Sequence, residues 1–244
     1  MASAILGVMP GTRVNAPVIR HFFDDRKHDG NAGSQSEPAR GYGMNRNPVV
    51  FWLLGVNILV FMLEQSAGRQ MIDWLALWPI GVAADSGAAA FYPWQLITYG
   101  FLHGSILHLF LNMYALWLFG RSLETTMGSQ RFLVFYLTCV IGAALLHLVV
   151  QAFMMLHGAF PRPVIGASGG TFGLLMAFAY LFPETRLLLL IPPIPVKAKW
   201  FALGYGIVEL VVGVTGTASG LAHFAHLGGM VTAYLLVRYW IAAR

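Results

Sequence analysis

The chain has 244 residues, of which 57% are hydrophobic and 10% are charged, and its formal net charge is +5 at pH 7. Soluble globular proteins carry about 25% charged residues, so this composition excludes that class and indicates an integral membrane protein. The chain has one cysteine, Cys139, which excludes an intramolecular disulfide and a metal cluster built on cysteines. We expect a lipid bilayer and other membrane proteins as partners and no nucleic acid, and the sequence does not indicate an oligomeric state.

Residues 1–46 differ from the rest of the chain because their composition is mixed and polar. They include a charged cluster at 24–27 and a stretch rich in glycine, serine and asparagine at 30–36. This segment lacks the basic start, apolar core and small-residue cleavage site that characterise a secretory signal. We therefore predict a disordered cytoplasmic tail over 1–46 and a membrane domain over 47–244.

Six apolar runs follow the tail, and they predict an all-α bundle of six transmembrane helices. The runs lie near 48–63, 95–119, 132–156, 168–182, 200–214 and 221–240, and the fourth and fifth are short or interrupted. If the helices alternate in direction from a cytoplasmic N-terminus, every lysine and arginine except Arg69 and Arg162 lies on the cytoplasmic side. This charge bias predicts that both termini are cytoplasmic, and we expect the bacterial inner membrane.

The first outer loop, near 64–94, has an unusual composition for a connecting segment. It carries Trp74, Trp78 and Trp94 among few charges. Such a segment is typical of chain that lies in the lipid headgroup region rather than in water.

The octapeptide Gly-Ala-Ser-Gly-Gly-Thr-Phe-Gly at 166–173 opens the fourth apolar run. A serine among glycines at the start of a helix has an uncrowded hydroxyl beside unpaired N–H groups, which suits a nucleophile and an oxyanion. Small residues such as Gly166 and Gly169 also let membrane helices pack closely. The octapeptide by itself favours the packing interpretation, so the choice between a nucleophile and a packing segment depends on the rest of the chain.

The depth of polar residues in the membrane relates this serine to two other helices. Counting back from the cytoplasmic ends of the fourth and sixth runs places Ser168 and His226 at the same depth, 14 residues or about 21 Å above the inner boundary. His108, on the second run, reaches nearly the same level, and Asn112 lies one turn lower on the same face. A histidine beside a serine can act as a general base, and paired donors can hold a developing oxyanion.

The remaining polar residues have other interpretations. The three helices offer no carboxylate at this depth, which favours a dyad of Ser168 and His226 over a triad. Glu209, on the fifth run, is expected to have a structural role, and His103 to bond loop backbone because its offset turns it away from His108. For any one of these residues, the alternative is a simple hydrogen bond to a neighbouring helix.

Four motifs stand out in chain order: the spacing of His103, His108 and Asn112, the turn from Glu124 to Gly128, Gly166-Ala167-Ser168-Gly169, and Ala225-His226-Leu227-Gly228-Gly229. In this order they resemble the rhomboid family of intramembrane serine proteases over about residues 91–240. The resemblance implies Ser168 as the nucleophile, His226 as its base, and His108 with Asn112 as side-chain donors of the oxyanion hole. It also implies that small residues let the helices close around the site, at Gly166, Gly169 and Gly229.

The chain departs from the family pattern at two positions. Gln95 stands where the family often has an arginine, which removes a loop-stabilising charge, and Ala233 stands where a second glycine is common. Neither change removes a catalytic group. His223 precedes His226 by three residues, but only His226 is followed by the pair of glycines that close approach to Ser168 needs.

The resemblance implies an intramembrane serine endopeptidase that cleaves transmembrane segments of other membrane proteins and needs no cofactor or metal. The glycine-rich segment 213–220 would then be a mobile lid that admits water and substrate, or only a connecting turn. Two other functions stay open. The first is a non-catalytic protein of the same fold that holds client helices. The second is a metal site built from His103, His108, His223 and His226, which is disfavoured because it lacks a carboxylate or thiolate partner.

Overall fold

The structure is a computed structural model that describes residues 47–81, 89–188, 194–215 and 221–243. The predicted tail over 1–46 lies outside the described residues, and so does most of the predicted lid, from 216 to 220. The beginning of that lid segment, from Gly213 to Thr215, is the last part of a helix. The two predictions for these segments therefore stay predictions.

Helices make up most of the described chain, which confirms the all-α prediction. The elements in chain order are α1 (Pro48–Ala67), α2 (Arg69–Leu75), α3 (Gln95–Thr98), a 3-10 turn (Tyr99–Phe101), α4 (Ile106–Met127), α5 (Ser129–Leu156), α6 (Ser168–Leu181), β1 (Arg186–Leu188), β2 (Pro195–Lys197), α7 (Ala198–Thr215) and α8 (Leu221–Ala242).

Each of the six predicted apolar runs overlaps one of the helices α1, α4, α5, α6, α7 and α8. Among the described helices, α1, α4, α5 and α7 are long and apolar enough to span a membrane. Helix α6 has only 14 residues, so at about 1.5 Å per residue it is about 21 Å long and crosses only part of a hydrocarbon core about 30 Å thick. The start of α6 is therefore expected below the membrane surface.

The second predicted run is not one continuous helix. The chain leaves the 3-10 turn in an extended conformation at Leu102, and α4 begins only at Ile106. Ser105 caps α4 because its hydroxyl accepts a hydrogen bond from the backbone N–H of His108 at 3.1 Å. His103 consequently lies before the helix and not within it, which corrects the prediction.

Glycines let α8 lie directly against α5 and α6. A Cβ atom at Gly229 would lie 1.9 Å from the carbonyl oxygen of Gly169, and one at Gly142 would lie 2.0 Å from the hydroxyl of Thr232. Such contacts bring backbones together as in other small-residue membrane interfaces. Ala233, by contrast, is fully buried, so this interface accommodates a methyl group where the family pattern commonly has glycine.

A buried carboxylate anchors the first helix at the opposite end of the bundle from Ser168. Glu124 accepts hydrogen bonds from the backbone N–H groups of Val49 and Val50, at 3.0 and 2.9 Å, and from the Ser129 hydroxyl at 2.6 Å. The first N–H groups of a helix lack partners within that helix. Glu124 therefore satisfies the start of α1 and ties it to α4 and α5.

A short hairpin that the sequence did not predict connects α6 to α7. Strands β1 and β2 pair antiparallel, with Leu187 opposite Val196. Next to them, Glu184 forms ion pairs with Lys197, at 2.6 Å, and with Lys199. These hydrogen-bonded ammonium groups hold the pKa of Glu184 at about 2.

The first outer loop is held by aromatic stacking and by one glutamine. The rings of Tyr92 and Trp94 stack with centroids 4.5 Å apart, and Trp74 stacks on Tyr92 at 5.7 Å. Gln95 is fully buried, accepts a hydrogen bond from the backbone N–H of Trp78, and donates to the carbonyls of Trp74 and Ala90. An amide with three hydrogen bonds thus stands where the family often places a charge.

Replacing Gln95 with alanine should lower the melting temperature of the detergent-solubilised protein. The change leaves buried backbone groups without partners, which typically costs about 1–3 kcal/mol. The matched control is Gln65→Ala, because Gln65 is exposed and contacts only the carbonyl of Phe61 in its own helix. Equal melting temperatures for the two variants would contradict a structural role for Gln95.

Candidate active site

Ser168 is the first residue of α6, and a glycine turn determines its surroundings. Gly166 has a φ of +125°, and a Cβ atom there would lie 2.8 Å from the imidazole of His108, so both backbone and space require glycine. The N–H of Gly166 donates to the carbonyl of Tyr99 at 2.9 Å. Because first-turn N–H groups have no partner within their helix, the N–H of Ser168 points out of α6 at the site.

His226, on α8, lies directly beside this serine. Its Nε2 is 2.8 Å from the hydroxyl oxygen of Ser168. Phe172, one turn along α6, stacks on the imidazole with ring centroids 4.2 Å apart and an interplanar angle of 3°. The contact between Gly229 and Gly169 brings the two helices close enough for the 2.8 Å separation.

A carboxylate from α7 completes the row of polar side chains. Oε2 of Glu209 lies 2.9 Å from Nδ1 of His226 and 2.6 Å from Nδ1 of His223, and Glu209 is 5% exposed. An ionised carboxylate can only accept, so both histidines donate their Nδ1 protons to it. Nε2 of His226 is then unprotonated and accepts the hydrogen bond of the Ser168 hydroxyl.

This contact places Glu209, for which the sequence predicts a structural role, beside the predicted dyad of Ser168 and His226. The prediction of a dyad rests on the helices of Ser168, His226 and His108, which carry no carboxylate at this depth. The fifth predicted helix, now α7, supplies the missing group. The arrangement has the geometry of a Ser-His-Glu triad, in which the carboxylate fixes the tautomer and orientation of the imidazole.

His108 and Asn112 lie on the first turns of α4, one helical turn apart. The amide nitrogen of Asn112 donates to the carbonyl of His108 at 3.0 Å, and its amide oxygen accepts from the hydroxyl of Thr171 at 3.3 Å. The same hydroxyl lies 3.2 Å from the carbonyl of Ser168. These bonds fix the Asn112 amide against the start of α6 and leave it a second N–H.

The polar side chains share one cavity of about 390 Å³ between α4, α6, α7 and α8. Apolar side chains provide most of its remaining wall, including two residues of the β1 strand. Such a mostly apolar cavity with few convergent polar groups is typical of a ligand site. The lining includes Ser168, His226, Glu209, His108, Asn112, Ala115, Leu118, Phe119, Leu175, Leu187, Leu188 and Phe201.

Comparison with known proteins agrees with the sequence resemblance. A model of the rhomboid domain matches residues 90–243. The chain belongs to the rhomboid family. It is an integral, multi-pass membrane protein of that family, and its apolar helices fit this assignment.

Named relatives of this rhomboid come from both eukaryotes and bacteria. "Rhomboid protein 1, mitochondrial" of Saccharomyces cerevisiae is 33% identical over 189 residues, which is 77% of this chain and 51% of the yeast protein. "Rhomboid protease GluP" of Bacillus subtilis is 29% identical over 177 residues, or 71% of this chain and 31% of that protein. "Presenilin-associated rhomboid-like protein A, mitochondrial" of Danio rerio is 31% identical over 149 residues, or 59% and 37%.

The comparison with these relatives limits two conclusions, one about the whole protein and one about its membrane. The rhomboid chain spans about half the length of the yeast protein and less than a third of the Bacillus protein. Two of the three relatives are named as mitochondrial, so they do not support the bacterial inner membrane that the sequence led us to expect.

His103 is a buried residue that packs against His108. It is fully buried, its backbone N–H donates to the carboxylate of Glu64 at 3.0 Å, and its Nδ1 lies 3.3 Å from the carbonyl of Phe101. Its ring meets that of His108 edge-on, with centroids 5.0 Å apart. The prediction that His103 bonds backbone is confirmed, whereas the prediction that its offset turns it away from His108 is wrong.

The metal site considered from the sequence is not the one that the rhomboid fold assembles. Within the described residues, the group that can hold a metal consists of Glu209, His223 and His226, with one ligand atom from each lying within 4.8 Å of the others. His103 and His108 are not part of this group. Two of the four histidines, His223 and His226, do have a carboxylate partner in Glu209, contrary to the prediction.

Proposed function

We propose that this rhomboid is an intramembrane serine endopeptidase that cleaves transmembrane segments of other membrane proteins. The observation that carries the proposal is the 2.8 Å contact between the Ser168 hydroxyl and Nε2 of His226, with Glu209 bonded to the other ring nitrogen. A serine, a histidine and a carboxylate in this order are the parts that acyl transfer requires.

The chemistry begins when Ser168 transfers its proton to Nε2 of His226 and attacks the scissile carbonyl carbon. Glu209 stabilises the imidazolium that forms, because its Oε2 already accepts the Nδ1 proton. His226 then gives the proton to the leaving amine, and an acyl-enzyme forms on Ser168. Water, activated by the same imidazole, hydrolyses the acyl-enzyme and restores the serine.

The negative charge of the tetrahedral intermediate needs donors on the α4 side of the serine. We assign this role to three groups: the Ser168 N–H at the start of α6, the His108 imidazole and the second N–H of Asn112. Donors that are already fixed before reaction stabilise developing charge without reorganisation. The hydrogen bonds from Asn112 to His108 and from Thr171 to Asn112 supply that fixation.

The site also limits the substrates. A peptide bond inside a helix is shielded by its own hydrogen bonds, so attack requires a segment that unwinds locally. We infer that substrates carry helix-weakening residues near the outer face of the membrane, at the depth of Ser168. The apolar wall of the cavity suits the side chains of such a segment. The proposed orientation keeps both termini of the chain on the cytoplasmic side.

The test is cleavage of a generic single-span substrate by the purified full chain in liposomes, compared with Ser168→Ala. The proposal requires product from the unchanged chain and none from the variant. A protein that only holds client helices would capture the substrate equally in both forms and release no fragment. That outcome would replace the proposed function with the binding alternative.

Replacing Asn112 with alanine should lower kcat by about 10²–10³, because one preorganised oxyanion donor is lost. KM should change little, since the donor acts on the transition state. Asn57→Ala is the matched control, because Asn57 is also buried and bonds its own helix, at the carbonyl of Leu53, but lies outside the cavity. A change confined to KM would mean that Asn112 only positions the substrate.

A further inference from the structure

We propose that Glu209, His223 and His226 form a binding site for a zinc-like divalent cation, and that the bound cation switches His226 out of catalysis. The inhibitory part of this proposal rests on the proposed protease function. The binding part rests only on the three side chains and their surroundings.

The three side chains already converge on one point. Oε2 of Glu209 lies 2.6 Å from Nδ1 of His223 and 2.9 Å from Nδ1 of His226, and all three ligand atoms lie within 4.8 Å of one another. Ligand atoms around a tetrahedral zinc lie about 3.3 Å apart, since each bond is about 2.0–2.2 Å long. The cluster therefore needs only a small opening around Glu209 to admit the ion.

The donor set selects the class of cation. Two imidazole nitrogens and one carboxylate oxygen suit Zn²⁺ and its transition-metal neighbours, whereas Ca²⁺ and Mg²⁺ prefer oxygen ligands throughout. Three protein ligands with a fourth position open is the arrangement of many zinc sites that keep a water ligand. The cavity lined by Glu209 and His226 gives the ion an access path and gives that water room.

Cation binding is incompatible with the triad because both use the same ring nitrogen. In the triad, Nδ1 of His226 carries the proton and Nε2 accepts from Ser168. When Nδ1 binds a cation, the neutral imidazole must carry its proton on Nε2, which then donates to the Ser168 oxygen. The serine can no longer pass its proton to the histidine, so acyl transfer stops. In His223 the proton likewise moves from Nδ1 to Nε2, so both imidazoles stay neutral.

The residues around His226 are compatible with the metal-bound state, in which Nε2 carries the proton. Phe172 stacks on the His226 ring and limits its rotation, so the ring keeps its place while the proton moves between its nitrogens. The hydroxyl of Ser168 can accept as well as donate, so it satisfies Nε2–H in the metal-bound state. The side chains of His223 and His226 are 19% and 18% exposed, so the described protein does not fully enclose either ring.

The experiment measures zinc binding and zinc inhibition separately, on the full chain in detergent. Equilibrium dialysis against buffered Zn²⁺ gives the stoichiometry, and cleavage of a transmembrane substrate, with and without Zn²⁺, gives the inhibition. The test variants are His223→Gln and His223→Asn, whose amides can still donate to Glu209 but bind zinc poorly. His157→Gln is the control, because His157 is exposed and contacts the carbonyl of Phe153 in its own helix. Each protein serves as its own zinc-free reference.

We expect one Zn²⁺ per chain and full inhibition in the unchanged protein and in His157→Gln. In both His223 variants, the zinc concentration for half-inhibition should rise by at least about 100-fold, the upper end of the cost of losing even an outer-shell partner. Zinc binding and inhibition that do not change in the folded His223 variants would overturn the site. Activity that a chelator abolishes and Zn²⁺ restores would overturn the inhibitory role.

The two proposals fail in different ways. If the chain binds Zn²⁺ through His223 but cleaves no substrate, the proposed protease function is wrong and the cation site is unaffected. If the chain cleaves substrate at the same rate with and without Zn²⁺ and binds no Zn²⁺ at the three side chains, the cation site is wrong and the protease function is unaffected.

Discussion

Replacing His226 with alanine should abolish both proteolysis and the labelling of Ser168 by a fluorophosphonate probe. The probe reacts only with a serine whose proton is removed, and Nε2 of His226, at 2.8 Å, is the group placed to remove it. In a serine protease of known mechanism, loss of the nucleophile or its base lowers kcat by roughly 10⁶. The measurement is the second-order rate of labelling, together with the rate of substrate cleavage in liposomes.

The controls separate the base from the other histidines. His223→Ala removes the other imidazole that donates to Glu209, whereas the imidazole bonded to the Ser168 hydroxyl is that of His226. The labelling rate of His223→Ala should therefore fall far less. His157→Ala removes an exposed imidazole at the end of α5 and should change nothing. Equal losses in His223→Ala and His226→Ala would mean that His226 is not the base.

The arrangement of the long helices could be predicted because a bilayer leaves an apolar chain few choices. Backbone groups have no water to bond in hydrocarbon, so an apolar run must become a helix. The runs near 48–63 and 132–156 accordingly became α1 and α5, each extended by a few residues at one end. The equal depths of Ser168 and His226 followed from the same regularity, because each helix residue advances a fixed distance.

The break before α4 could not be read from hydropathy alone. The residues around it are mostly apolar, so the mean hydropathy of the whole run does not show the interruption. The local signal was Gly104-Ser105, a flexible residue followed by a good N-cap, and Ser105 does cap α4. A helix that begins after this pair leaves His103 in the segment before α4, where the structure has it.

The contact of Glu209 with the histidines was missed although its signal was present. A carboxylate inside an apolar helix is costly and needs a partner. His223 and His226, three residues apart, lie on one face of their helix and offer two donors on that face. Depth along one helix can be counted from sequence, but which helices are neighbours depends on packing. Here α7 meets α8 at two glycines that sequence shows only as small residues: a Cβ atom at Gly206 would lie 3.3 Å from the Met230 side chain, and one at Gly213 would lie 3.2 Å from the Phe224 ring.

Replacing Glu209 with glutamine should lower kcat by about 10⁴ while the protein stays folded. The corresponding carboxylate-to-amide change in a serine protease triad keeps the geometry but stabilises the wrong imidazole tautomer, at that cost. Here the amide can present an N–H to Nδ1 of His226, which places the ring proton on Nε2, against Ser168. The substrate still fits the cavity, so KM should change little. The measurement is kcat and KM for one transmembrane substrate, with the melting temperature of each variant.

Glu124→Gln is the matched control, because Glu124 is also a buried carboxylate but bonds the start of α1. It should lower the melting temperature and leave kcat per folded molecule nearly unchanged. Glu209→Gln should show the opposite pattern, since Oε2 contacts two histidine side chains and carries little of the packing. If Glu209→Gln lowers the melting temperature and spares kcat, the carboxylate only holds α7 against α8. His226 would then work with Ser168 as the dyad that the sequence predicts.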